Sequence, residues 1–347
     1  MRAYKITNNV VGWLVFAIAA FTYLSTIEPT ASFWDCGEFI ASAYKLEVGH
    51  PPGNPIFMMT ANLFTQLASD PTNKAMMVNA MSAIFSALTI LFLFWTITHL
   101  AKKLISKDDE ELSLANIIAI IGAGAVGALA YTWSDTFWFS AVEGEVYAFS
   151  SMMTALVFWL ILKWETAADE PHSGRWLILI AYLMGISIAV HLLNLLCIPA
   201  IVLVYYFKKF NNPTAKGTVL ALLLSFVIIA VLLFGIIQGL VKVAGWSELL
   251  FVNGLGLPFN SGVVAYVIVV FAVLIWGIWE SMRDKINPIN VKISFLLGIT
   301  LLGIPFFGSN PVIGILITCV LGVVLFSWKK VSPVAINTIL TGLLVIT

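Results

Sequence analysis

The residues best suited to chemistry lie in one polar stretch, FWDCGEFIASAYKLEVGHPPGNP (Phe33–Pro55), of an otherwise apolar chain. Asp35 and Glu38 are three positions apart, so a helix would place both carboxylates on one face, about 60° apart. In a carboxylate pair at the edge of a low-dielectric region, the neighbouring charge and desolvation can raise the pKa of one member. That member would suit general-base catalysis near neutral pH. The alternative is that both acids face water in a loop.

Aromatic residues and a turn motif surround these acids. Phe33, Trp34 and Phe39 suit the headgroup level of a bilayer, where aromatic side chains collect. His50 opens the run GHPPGNP, whose prolines and glycines predict an extended turn that stops any helix. His50 could hydrogen-bond a carboxylate or a phosphate, and a solvated loop histidine is the alternative.

Two further polar pairs stand out against apolar surroundings. Glu143 and Glu145, in EGEVYAFS, begin a predicted span. Binding of substrate and simple stabilisation of the helix N-terminus both explain them. His191 and Asn194, in AVHLLNLL, share a helical face. They are candidates for a functional role inside the membrane, with hydrogen bonding between helices as the alternative.

Composition places the chain among membrane proteins. Of 347 residues, 60% are hydrophobic and only 10% are charged, against about 25% charged in soluble domains. The formal net charge is zero and no basic patch carries interleaved aromatics, which argues against nucleic acid as a partner. Cys36, Cys197 and Cys319 form neither a disulfide framework nor a zinc motif. Packing is the favoured role for Cys36, with reactivity as the alternative.

Apolar runs long enough to cross about 30 Å of hydrocarbon predict an all-α polytopic fold of about 10–11 transmembrane helices. The predicted spans are Val10–Ile27, Ala75–Leu100, Leu114–Trp133, Val146–Trp164, Gly217–Val241, Val263–Glu280, Ile293–Phe307, Val312–Phe326 and a run from Val334. Trp176–Phe207 is too long for one pass and is predicted to cross twice or to enter and return. The N-terminal run lacks a small-x-small cleavage site, so we interpret it as a retained span.

Basic residues predict the orientation, because Lys and Arg concentrate on the cytoplasmic side. The clusters are Arg2/Lys5, Lys102/Lys103/Lys107, Lys163/Arg175, Lys208/Lys209/Lys216, Arg283/Lys285/Lys292 and Lys329/Lys330. The first loop, residues 28–74, then lies outside, together with the loops Ser134–Glu145 and Trp246–Asn260. Within the first loop, the apolar piece IFMMTANLFTQLA predicts a helix lying in the interface.

Three motifs resemble a known family. SFWDCGEFIASAYKLEVGHPPGNPIF, SAVEGEVYAFS and HLLNLLCIPA are similar to the bacterial members of a protein O-mannosyltransferase-like family of GT-C glycosyltransferases. The resemblance implies one GT-C-like transmembrane domain over residues 1–347, with interfacial helices in its first outer loop. It also implies a soluble C-terminal region beyond Thr347, which agrees with a chain that stops inside an apolar run.

The resemblance implies an inverting glycosyltransferase that uses a polyprenyl-phosphate sugar on the non-cytoplasmic face. Asp35 is then the base and Glu38 the alternative base or its orienting partner. The substrate-binding candidates are His50, Trp34, Lys45, Glu143, Glu145, His191 and Asn194. The acids could bind Mg²⁺ or Mn²⁺, but the resemblance implies no metal requirement and no other cofactor. The expected location is a bacterial inner membrane, with the active site facing the periplasm.

Several alternatives stay open on sequence alone. A transporter or flippase of lipid-linked sugar would carry polar residues in its span centres and internal repeats, which are not evident here. A non-enzymatic assembly subunit would use the outer acids only as a docking surface. Neither the sugar, mannose or another hexose, nor the acceptor, protein Ser/Thr or a glycan, follows from the residues. Oligomeric state is equally open.

Overall fold

A computed structural model describes residues 2–51, 53–105, 112–304, 311–327 and 332–347. Every regular element in these ranges is helical, as predicted. The helices are α1 Arg2–Ser25, α2 Cys36–Lys45, α3 Pro55–Thr65, α4 Lys74–Ile105, α5 Leu114–Thr132, α6 Asp135–Ala141, α7 Val146–Ala167, α8 Gly174–Ile188, α9 Ile198–Lys209, α10 Ala215–Gly254, α11 Ser261–Met282, α12 Pro288–Leu301, α13 Pro311–Ser327 and α14 Pro333–Ile346. Short 3₁₀ turns occur at Pro71–Asn73 and Leu192–Cys197.

The apolar helices make the chain a multi-pass membrane protein. In the described ranges, seven helices are long and apolar enough to cross a bilayer, and four more are apolar but shorter. The segment predicted to cross twice forms α8 and α9, with a turn between them that holds His191 and Asn194. The end of one predicted span, Phe307, and the basic residues Lys107, Lys329 and Lys330 lie outside the described residues.

One predicted loop is helical in the structure. The stretch from Trp246 to Gly254 was expected to leave the membrane as a loop, but it continues α10, which contains π-helical segments at Val231–Ile237 and Leu250–Gly254. No proline interrupts the stretch, so the helical hydrogen bonds continue. Its polar residue Glu248 accepts hydrogen bonds from the backbone N–H groups of Asn260 (2.6 Å) and Val263 (3.0 Å) at the start of α11.

The chain forms two compact units, and the first contains residues 1–166 and 186–197. Its core is built on α4, which packs against α1 and α5 through Tyr23, Ile90 and Phe94. Glycines allow close approach between these helices: a Cβ at Gly124 would lie 3.0 Å from the Phe94 ring.

The second unit contains residues 167–185 and 198–347. Its core lies among α10, α11, α12 and α14, with Val270, Leu274 and Leu340 fully buried. The buried amide of Asn337 donates a hydrogen bond of 2.8 Å to the Ser281 hydroxyl. Polar pairs of this kind satisfy groups that lipid cannot solvate.

Helices α2 and α3 form within the first loop, as predicted. Glu38 lies in the first turn of α2 and Lys45 in the last turn, where each charge interacts favourably with the helix dipole. The helix ends at Leu46 (φ 55°), with hydrogen bonds from Leu46 N–H to Ala43 O and from Glu47 N–H to Ser42 O. Helix α3 begins with Pro55 in its first turn, where the missing N–H costs no hydrogen bond.

Asn79, on α4, attaches the first loop to the bundle. Its fully buried side-chain amide donates hydrogen bonds of 2.6 Å to Glu28 O and 2.9 Å to Thr30 O. The backbone N–H of Glu28 also donates to Val142 O at 3.2 Å. Val142 lies in the second loop, Ser134–Glu145. The start of the first loop is therefore held by α4 and by the second loop together.

Replacing Asn79 with alanine removes both side-chain hydrogen bonds and leaves two carbonyls without these partners. We expect the free energy of unfolding to fall by about 1–3 kcal/mol, measured by thermal or denaturant unfolding in detergent. Asn212→Ala, at an exposed loop position, is the control and should change stability little. Equal stability of the Asn79→Ala and unsubstituted proteins would contradict the anchoring role.

Candidate active site

The first unit contains every residue predicted for the site. Asp35 immediately precedes α2 and Glu38 lies one turn later, so both carboxylates project from the same end of this helix. Trp34, just before them, has φ 61° and a side chain that is 91% exposed. A left-handed backbone at a bulky residue costs about 1–3 kcal/mol and commonly marks functional segments. The chain therefore enters α2 through a strained turn.

His50 returns from the GHPPGNP turn to contact both acids. Its backbone N–H donates to Glu38 Oε1 at 2.6 Å, and its Nδ1 lies 3.2 Å from Glu38 Oε2. Its Nε2 lies 4.0 Å from Asp35 Oδ2. The side chains of Asp35, Glu38 and His50 are 58%, 42% and 41% exposed, so the cluster is open to a substrate.

The two acids have different surroundings. The hydrogen bonds from the backbone and ring of His50 hold the pKa of Glu38 below its ordinary value. In the described part of the chain the Asp35 carboxylate accepts no hydrogen bond, and its nearest ionic contact is the 4.0 Å approach of His50. Glu38 is thus bonded to His50, whereas the Asp35 carboxylate is open to solvent.

The same three side chains could also hold a cation. One ligand atom from each of Asp35, Glu38 and His50 lies within 4.8 Å of the others. Carboxylate and imidazole ligands suit several divalent ions. However, Nδ1 of His50 already lies 3.2 Å from Glu38 Oε2, so Glu38 has a partner without a metal.

Glu143 and Glu145 lie behind this exposed cluster rather than in it. Each is only 6% exposed, and the buried Cys36 Sγ lies 3.7 Å from a carboxylate oxygen of both. The Ser32 hydroxyl also bonds Glu143, and the Val146 N–H donates to Glu145 at 3.3 Å. Cys36 therefore links α2 to the second loop.

Burial dominates the electrostatics of this inner group. It raises the pKa of Glu145 to about 7, with additional repulsion from the negative charges of Glu143 and Asp35. It also raises the pKa of Glu143. The Cys36 thiol has a raised pKa from burial and both carboxylates, so it is a poor nucleophile. The favoured interpretation of Cys36 as a packing residue agrees with this environment.

The remaining predicted residues do not contact the two acids. Lys45 pairs with Glu47 at 3.9 Å, with both side chains exposed. The His191 ring packs edge-on against Tyr147, 5.4 Å between centroids, and burial lowers the pKa of His191. Asn194 is 1% exposed. The substrate-binding roles of Trp34, Lys45, His191 and Asn194 stay predictions.

Sequence reasoning missed two contributors to the site. Asn79 holds the first loop, and Gly144 lets the second loop approach α4, since a Cβ there would lie 2.9 Å from Asn79 Oδ1 and 3.1 Å from a Val78 methyl group. A polar side chain inside an apolar span was the available signal for Asn79. The glycine between two glutamates gave no comparable signal.

The sequence comparisons agree with the motifs. The chain belongs to the family described as "Protein O-mannosyl-transferase TMEM260 N-terminal domain", whose family model matches residues 35–214, about half of the chain. The matched segment begins at Asp35 and includes both acidic pairs of the site region, Asp35/Glu38 and Glu143/Glu145. The resemblance inferred from the motifs is confirmed at the level of the family.

Two curated relatives are each similar to about half of the chain. "Protein O-mannosyl-transferase tmem260" of Dictyostelium discoideum is 26% identical over 188 residues, which cover 52% of this chain and 21% of the relative. "Protein O-mannosyl-transferase TMEM260" of Mus musculus is 26% identical over 174 residues, 50% of this chain and 22% of the relative. The aligned region thus spans about a fifth of each relative. No solved structure matches the chain.

Gly144→Ala should displace the second loop, because the added methyl group meets the side chains of Asn79 and Val78. We expect a loss of about 1–3 kcal/mol in the free energy of unfolding. Gly122→Ala is the matched control, since its methyl group meets no atom within 4 Å. Thermal unfolding of both variants checks the prediction, and an equal response at the two glycines would contradict it.

Proposed function

We propose that the chain is the membrane domain of an inverting GT-C-type glycosyltransferase. It moves mannose or another hexose from a polyprenyl-phosphate to a hydroxyl group, with Ser/Thr of exported protein as the favoured acceptor. The observation that carries the proposal is the exposed Asp35 carboxylate beside a Glu38 already bonded by His50. Family membership and the names of the two relatives support transfer to protein.

In this proposal Asp35 is the general base, and Glu38 orients Asp35. Asp35 takes the proton of the acceptor hydroxyl as the acceptor oxygen bonds to the anomeric carbon. The carbon–oxygen bond to the phosphate breaks, and the phosphate leaves with the electron pair. His50, held by Glu38, supplies a polar N–H near the departing phosphate, and Lys45 is the nearby lysine of the same loop.

An apolar cavity next to the site supports a lipid-linked sugar. The cavity has a volume of about 290 Å³ and is lined mainly by Leu46, Val48, Pro55, Met58 and Met59, in the turn and helix that follow α2. Its lining residues flank His50 in the chain, so we propose that a prenyl chain occupies the cavity while the phosphate reaches the cluster. Glu47 supplies the one charged group of its lining.

The proposed location is a bacterial inner membrane, with the site facing the periplasm. Helix α4 leads from the first loop to Lys102 and Lys103 in its last turn, and α9 ends in Lys208 and Lys209. Basic residues concentrate on the cytoplasmic side, which would put the first loop outside. The chain also contains no Asn-x-Ser/Thr sequon with x other than Pro, as is compatible with a bacterial protein.

Asp35→Asn should reduce sugar transfer by on the order of 10²-fold or more, because the general base is lost. Glu38→Gln keeps an acceptor for the His50 N–H and should reduce transfer less, on the order of tenfold. Intact-mass analysis of exported proteins would measure both after the changes are made in the chromosomal gene. Protein level and thermal unfolding verify that each variant folds.

Asp70→Asn is the matched control, since Asp70 is an exposed acid of the same loop that only bonds Thr72. Its activity should stay unchanged. Full transfer by both the Asp35→Asn and the Glu38→Gln variants would contradict the catalytic assignment. If Glu38→Gln abolishes sugar transfer and Asp35→Asn retains it, Glu38 is the general base and Asp35 the orienting residue.

Transfer is proposed to need no divalent metal, because the backbone N–H and the ring of His50 already bond Glu38, one of the three candidate ligands. Dialysis of the purified protein against EDTA should leave the transfer rate unchanged. The rate is measured with a short-chain polyprenyl-phosphate mannose and a Ser/Thr-containing peptide. A loss that Mg²⁺ or Mn²⁺ restores would instead assign Asp35, Glu38 and His50 to a metal site.

A further inference from the structure

The buried acids Glu143 and Glu145 lack a compensating positive charge. The groups facing them in the described structure are the Cys36 thiol and Asp35 at the start of α2, and Glu28 and Ser32 in the first loop. None of these is cationic. Asn79, on α4, uses its side-chain N–H groups on the carbonyls of Glu28 and Thr30. Two ionised carboxylates at 6% exposure would therefore both be buried without a counter-charge, which is strongly unfavourable.

The available hydrogen-bond donors also satisfy only part of this pair. Glu143 accepts from the Ser32 hydroxyl and Glu145 from the Val146 N–H. The Cys36 thiol has a single proton, yet its sulfur lies 3.7 Å from both carboxylates. A proton on one carboxyl removes one buried charge and adds the missing donor.

The pair is placed where it can control the proposed base. Cys36 is the first residue of α2, is fully buried and lies between the two carboxyl groups. Asp35 is its immediate neighbour in the chain. Gly144, between the two glutamates, packs closely on α4, so the second loop is fixed there. A change of charge at the carboxyl pair therefore acts on Cys36 rather than on the loop.

We propose that Glu143 and Glu145 hold one proton between them below about pH 7, with Glu145 as the neutral member, and that this singly charged pair positions Asp35 through Cys36. Both glutamates are positioning residues that do not contact the sugar donor. The part of this inference that concerns transfer rests on the proposed function. If the glutamate pair becomes doubly charged as the pH rises, its second negative charge would repel Asp35 and disturb the packing of Cys36.

The sign of the pH dependence follows from the shifted titration of Glu145. Its ordinary pKa is 4.5, whereas burial raises the native-state pKa to about 7. Between these values the native protein binds more protons than the unfolded chain, so this residue's contribution to stability falls as the pH rises. The loss is complete above about pH 7. Glu145→Gln cannot ionise and should not show it.

Thermal unfolding of the purified protein in detergent at pH 5 and pH 8 tests the shared proton without any assay of activity. The melting temperature of Glu145→Gln, relative to that of the unsubstituted protein, should be higher at pH 8 than at pH 5 by about 2 °C or more. Asp135→Asn removes an exposed acid from the same loop and should show no such pH-dependent difference. A difference that is equal at both pH values would overturn the shared proton.

The pH profile of transfer tests the positioning role, with polyprenyl-phosphate mannose and a Ser/Thr-containing peptide as probes. The rate of the unsubstituted protein should fall above about pH 7, in kcat more than in KM, and Glu145→Gln should flatten this fall. Asp135→Asn should keep the original profile. An unchanged alkaline limb in Glu145→Gln would overturn the positioning role even if the melting data support the shared proton.

The two measurements separate the possible failures. If the unsubstituted protein transfers no sugar, the proposed function fails, and the melting comparison still decides whether the acids share a proton. If Glu145→Gln does not accumulate in folded form, Glu143→Gln replaces it in both experiments, because this variant also removes one charge from the pair. The same two measurements and the same predicted directions then apply to that variant.

Discussion

The hydrogen bonds of Asn79 to the carbonyls of Glu28 and Thr30 are the contact on which the arrangement of the site depends. They hold the entry to the first loop against the longest helix of the first unit, and Gly144 packs the second loop onto the same side chain. Helix α2 is attached to the second loop through Cys36, which contacts Glu143 and Glu145. Without the amide, the carbonyls of Glu28 and Thr30 would lose these partners, and the first and second loops would no longer be held by the same side chain.

The carboxylates of the site divide into two groups by solvent access. Asp35 and Glu38 are exposed, and His50 contacts both. Glu143 and Glu145 are buried next to a thiol, and burial raises the pKa of each. Cys36, the buried first residue of α2, contacts this inner group, whereas the adjacent Asp35 faces water. Acids of the same chemical type thus have different surroundings: hydrogen bonds from His50 lower the pKa of Glu38, and burial raises that of Glu145.

Local features of the site could be predicted from sequence, whereas contacts between distant segments could not. The apolar piece IFMMTANLFTQLA predicted α3, and the prolines and glycines of GHPPGNP predicted the turn that separates it from the preceding segment; given a helix there, the spacing of Asp35 and Glu38 placed both acids on one face. The choice between the two acids depends on where the GHPPGNP turn places His50. The contact between Cys36 and Glu145 joins residues far apart in the chain. No spacing rule reports such a contact, so these glutamates could only be placed by the tertiary structure.

The length of α10 has a geometric consequence for the second unit. Its 40 residues rise about 1.5 Å each, or roughly 60 Å in all, which is about twice the thickness of the hydrocarbon core. An upright α10 would extend into the aqueous phase for about half its length. The end of α10 that contains Glu248 packs against the start of α11, where Glu248 bonds the backbone of Asn260 and Val263. Because α11 is itself long enough to span the bilayer, this end lies level with the start of a span, and the extra length of α10 has to be taken up by tilt or at its other end. Each π-helical segment also adds a residue to a turn and so rotates the face that α10 presents to its neighbours.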